Sequence, residues 1–90
     1  MIHENSIDVL AEKLRQDIVA RYGVMLNFGM MRTVLGYTSD GALRQALTRG
    51  TVPVPIFKIP HRRGKFALAI DVASWLAASR MAAAKETLDK

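Results

Sequence analysis

Two groups of side chains in this 90-residue chain have types and spacing suited to chemistry. The first is Ser39, Arg44, Gln45, Thr48 and Arg49, within one short stretch. The second is Lys58, His61, Arg62, Arg63 and Lys65, which crowd around Gly64. Arginine presents two parallel donors that match the edge of guanine, and glutamine pairs with adenine in the same two-point fashion. Lysine, arginine and imidazole neutralise phosphates without regard to base. This is the chemistry of binding a polyanion, not of making or breaking bonds.

Bond-making chemistry lacks its parts. There is no cysteine, so disulfides and thiolate metal sites are excluded. The two histidines, His3 and His61, are far apart and fit no zinc-ligand spacing, and neither is brought near a serine and an acid by the sequence. Asp8 and Glu12 fall on a solvated helix face, so they do not make an acid/base pair. The glycines at 23, 29, 36, 41, 50 and 64 match no phosphate-binding loop and read as punctuation between elements. The expectation is a protein that is not an enzyme, with no cofactor, no metal and no small-molecule substrate.

Charge is distributed unevenly. The net charge is +5. Residues 31–65 hold Arg32, Arg44, Arg49, Lys58, Arg62, Arg63 and Lys65 against Asp40 alone, while the flanking thirds are close to neutral. Such a cluster repels itself, and a polyanionic partner offsets that cost. The longest apolar run, Phe66–Ile70, is far below the roughly 20 residues that span a bilayer, and the first residues lack a signal-peptide layout. A cytoplasmic location and no membrane partner are therefore expected.

The elements that must position these residues follow from periodicity and caps. Ile7, Leu10, Leu14 and Ile18 form the apolar stripe of a helix over 6–22, with Asn5 or Ser6 as its cap and Gly23 as its stop. A short extended piece covers Val24–Leu26. Asn27 caps a helix over Phe28–Leu35, which Gly36 ends, and Ser39 caps a second over Asp40–Arg49, which Gly50 ends. Two short helices joined by a tight glycine turn, residues 27–50, outline a helix-turn-helix. In the second helix Leu43, Ala46 and Leu47 face inward, and Arg44, Gln45 and Thr48 face out.

The prolines at 53, 55 and 60 forbid helix. Ile56–Ile59 and Lys65–Ile70 then predict a β-hairpin within 54–70, its tip made of His61-Arg62-Arg63-Gly64. Asp71 is expected to cap a last helix ending near Leu88, with Val72, Trp75, Leu76 and Ser79 starting its inner face and Trp75 as a buried anchor. Met25, Met30 and Met31 read as core filler. The predicted class is α+β, mostly α: one domain over 1–90 with four helices and a hairpin wing, a winged helix-turn-helix.

The stretch Gly36 to Leu76 resembles the small winged-helix regulators of phages and mobile elements, of the excisionase and AlpA type with a MerR-like fold. The resemblance lies in the turn glycine, the inward Leu43 and Leu47, Gly50-x-x-Pro53-x-Pro55, the basic wing, and Asp71-Val72-Ala73-x-Trp75-Leu76. It is also similar to the pyocin-activator family, which shares a leading helix, the Pro-x-Pro and an Asp-x-Ala helix. The resemblance covers about half the chain. It implies double-stranded DNA as partner, with Ser39, Arg44, Gln45, Thr48 and Arg49 on a recognition helix in the major groove. Lys58, His61, Arg62, Arg63 and Lys65 then form a wing along the neighbouring backbone or minor groove. The helix over 6–22 is an addition to the family pattern, either a dimer face or part of the core.

The expected function is sequence-specific DNA binding, as a transcription regulator or recombination directionality factor. A module this small is expected to act as a homodimer or cooperative oligomer. The rival reading is a basic protein-interaction module, an adaptor or inhibitor that docks an acidic protein surface. An RNA partner is less well served, because the aromatic residues sit where packing claims them.

Overall fold

The computed structural model describes residues 6–89, with backbone alone at Ser6 and at 85–89. His3 and the alternative cap Asn5 lie outside the described residues. The architecture is a small, mostly helical α+β fold. Its elements run α1 (Ser6–Tyr22), β1 (Met25–Leu26), α2 (Phe28–Leu35), α3 (Asp40–Arg49), β2 (Ala67–Leu68) and α4 (Ala69–Asp89). Among the described residues, no helix is long and apolar enough to cross a membrane.

The helix ends are set by local chemistry. The Asn27 side chain accepts a hydrogen bond from the Met30 backbone N–H at 3.0 Å. Ser39 Oγ does the same for Ala42, also at 3.0 Å. Each relieves one of the unpaired donors at a helix start. Gly36 and Gly50 close α2 and α3 in the left-handed region, with φ of 83° and 71°. Behind each of them the chain donates back into the last turn, Tyr37 to the Arg32 carbonyl and Thr51 to the Ala46 carbonyl.

The two strands come from distant parts of the sequence. β1 and β2 pair antiparallel, Met25 opposite Leu68 and Leu26 opposite Ala67. The Ala69 N–H at the start of α4 donates to the Val24 carbonyl at 2.8 Å. Because α1 runs into β1 and β2 runs into α4, the two long helices extend from the same end of this small sheet and pack side by side with antiparallel chain directions. The core gathers where they meet α2 and α3: Leu26, Met31, Leu43 and Val72 are its largest fully buried side chains. Burying each is worth about 1.5–3 kcal/mol. Ile18, Val54 and the small residues Ala67, Ala69 and Ala73 complete it.

Four expectations are corrected. The hairpin over 54–70 reduces to a single bridge, in which Phe57 and Phe66 exchange backbone hydrogen bonds of 3.0 and 2.8 Å. Its second strand pairs with β1 instead. Pro55 is the residue that would face Leu68 in this register, and it has no N–H to donate, so the ladder stops at the bridge, whereas Met25 takes that place opposite Leu68. Next, α4 begins at Ala69, so Ile70 is helical and Asp71 lies in the first turn, where it meets the positive helix end without being the cap. Ser6 likewise is the first helical residue of α1, not the residue before it.

Finally, the inner face of α4 is Val72, Ala73 and Ala77, with Trp75 and Leu76 half-buried and Ser79 exposed. Trp75 packs against the core without being enclosed by it, and the covered positions of α4 are held by Val72 and small alanines, not by the large ring. Met31 is a core residue as expected.

Candidate functional site

The outward face of α3 carries Gly41, Arg44, Gln45, Thr48 and Arg49 around one shallow groove of about 330 Å³. All five are exposed, while Leu43 and Ala46 on the opposite side are buried. The 3.6-residue repeat separates the faces in this way: residues 41, 44, 45 and 48 recur at helical spacing. Within this group, two hydroxyls already have partners. Ser39 Oγ is the α3 cap and keeps its own O–H free to donate. Thr48 Oγ1 donates to the Arg44 carbonyl at 3.0 Å, which leaves its oxygen free to accept.

Arg44 is not a free arm. Its guanidinium carbon lies 5.3 Å from the centre of the Phe28 ring, a cation–π contact across the helix pair. Phe28, at the start of α2, packs in turn against the core. Sequence reading treated this ring as packing alone. Residues 28 and 44 share no local spacing, so only the α2–α3 turn brings them together.

That turn is itself pinned by a cation. Arg32 donates from an Nη to the Tyr37 carbonyl at 3.0 Å, and its Nε lies 3.3 Å from the Asp40 carboxylate. The only acid of the basic segment is therefore matched to Arg32. The remaining cations there (Arg44, Arg49, Lys58, Arg62, Arg63 and Lys65) have no carboxylate within ion-pair distance among the described residues. The cationic field of this segment is left uncancelled.

The wing is a loop of exposed residues closed at its base by the Phe57–Phe66 pair, whose rings lie 6.3 Å apart. At its tip, Arg62 N–H donates to the Ile59 carbonyl at 3.0 Å, closing a turn with Pro60 second and His61 third. His61 has φ of 66°, a left-handed conformation that costs a side-chain-bearing residue free energy. A histidine thus stands where the turn favours glycine.

Lys58 and Lys65 border a second groove together with Leu47 and Gly50 at the end of α3. The base of this loop and the end of α3 are thus neighbours. His61, Arg62 and Arg63 line neither groove and project from the tip.

Elsewhere, Glu12 on α1 accepts hydrogen bonds from Arg15 and Gln16, and these lower its pKa from 4.5 to about 2. The bond from Arg15 raises the guanidinium's own pKa. Among the described residues, no group of three His, Asp or Glu side chains is placed to hold a metal ion. No family model matches the chain, and no curated protein or solved structure matches it.

Proposed function

We propose that the chain is a non-catalytic, sequence-specific double-stranded DNA-binding protein of winged helix-turn-helix type, a transcription regulator or recombination directionality factor. The observation that carries the reading is the set of six cations without carboxylate partners among the described residues, shared between the outer face of α3 and a loop that begins at its end. The element order supports it too: a helix, a short strand, two capped helices on a tight turn, a basic loop, and a strand that returns to pair with the first. In this reading Arg44 and Gln45 meet base edges. Arg49, Lys58, His61, Arg62, Arg63 and Lys65 meet phosphates and hold the register.

The test is a duplex-binding series at several salt concentrations. Contact with about four or five phosphates per monomer gives a slope of log affinity against log salt near −4. Replacing Arg62 and Arg63 together by alanine should weaken every duplex alike and flatten that slope by about 2. An affinity indifferent to salt overturns the reading, and absence of any duplex binding at low salt leaves the acidic-protein partner in its place.

A further inference from the structure

The groove between the end of α3 and the wing has a composition that polyanion binding does not explain. Its volume is about 370 Å³, within the lower range of small-molecule sites, which run from about 300 to 1,000 Å³. Leu47, Val52, Val54, Ile56 and Phe57 make its apolar lining, and of these only Val54 is buried. Four apolar side chains thus remain partly open to water in one concavity. A groove built only for phosphate has no use for such a lining, since phosphate is held by donors and charge.

The polar members are as unusual. Phe57 and Phe66 form the bridge, so Lys58 and Lys65, each one residue nearer the tip, are the next residues to face each other across the wing. Two exposed ammonium groups without carboxylate partners among the described residues therefore border the apolar groove.

We propose that this groove is a binding site for a small organic anion with an apolar body, a medium-chain or aromatic carboxylate. Its head lies between Lys58 and Lys65, and its body covers Leu47, Val52 and Ile56. Both halves of the ligand are required by the site: the apolar part by the exposed lining, and the single negative head by the paired ammoniums. The site shares Lys58 and Lys65 with the phosphate contacts of the DNA-binding proposal, and it is assayed without nucleic acid so that the two can fail separately.

The experiment is a titration of the whole, isotopically labelled chain with decanoate below its micellar concentration, followed by amide NMR shifts. Decanol and decyltrimethylammonium serve as the neutral and cationic controls. The expected result is saturable shifts centred on Leu47, Gly50, Val54 and Lys58, with decanol binding at least about tenfold more weakly. Lys58→Gln with Lys65→Gln should weaken decanoate binding about tenfold and leave decanol unchanged. The same double variant should melt no lower than the parent, because both ammoniums are exposed and neither has a carboxylate partner among the described residues. Equal binding of decanoate and decanol, shifts centred on Ile7 and Met81 at the far ends of α1 and α4, or no saturable shift at all would overturn the proposal.

Discussion

Arg44 shows how one side chain acquires a role from a neighbour that its own sequence does not reveal. Stacked on Phe28, it loses rotamer freedom before any ligand arrives, and its planar fork is held on the outer face of α3. Such a contact is worth about 0.5–1 kcal/mol at an exposed site. Replacing Arg44 by alanine should cost roughly 1–3 kcal/mol on the preferred duplex and relax preference at one base pair. Arg44→Lys is the sharper variant, because it keeps the charge and loses the two-donor fork. It should hold its affinity for random duplex and lose the preference for the selected site, read by competition binding. A lysine variant with undiminished preference would remove Arg44 from base reading. That Arg44 faces outward was legible in the sequence, from the inward spacing of Leu43, Ala46 and Leu47. That a ring supports it was not.

The helix pair is the element whose limits were readable in full. Phe28–Leu35 and Asp40–Arg49 begin and end where Asn27, Gly36, Ser39 and Gly50 say they should. Caps work through bonds to residues three or four positions away, so their information is local. Gly36→Ala meets no atom within 4 Å of an added Cβ, so its cost is backbone strain alone at φ of 83°. It should lower stability by about 1–2 kcal/mol, and Ser39→Ala by about 1 kcal/mol. In urea denaturation both midpoints should fall with unchanged slopes. A Gly36→Ala protein as stable as the parent would show that the turn does not need the left-handed conformation. The wing read less well. Its basic tip was evident, but strand pairing depends on which distant edge competes best. The partner of Ala67–Leu68 proved to be β1, on the far side of the helix pair in sequence.

At the scale of the molecule, the fold measures 46 × 28 × 18 Å, and burial fades along its length. On α1, Ile18 is buried, Leu14 and Leu10 are half-buried, and Ile7 is 37% exposed. On α4, Ala77 is buried, but residues 78–84 are all exposed although most are apolar. Val9 at 65% and Met81 at 38% exposure lie in these same distal stretches. We propose that a second copy covers this pair of helix ends, as two half-sites about one helical turn apart on DNA require. Sedimentation should show a species of twice 10.0 kDa, and Val9→Glu, at an open position, should dissociate it without lowering the monomer's helix content. A strict monomer, both free and on duplex, excludes the dimer.

The residue order alone determined where helices start and stop, which face of α3 turns outward, and that the positive charge gathers in the middle of the chain. These follow from short-range bonds, a fixed helical period and simple counting. Only the folded chain decided that β2 returns to β1, that Val72 and alanines rather than Trp75 hold the covered positions of α4, and that Arg32 is committed to Asp40 while its fellow cations have no carboxylate partner among the described residues. Each of those outcomes is a competition between partners far apart in the chain. The winner is set by which surfaces can be buried together, and no local pattern records it.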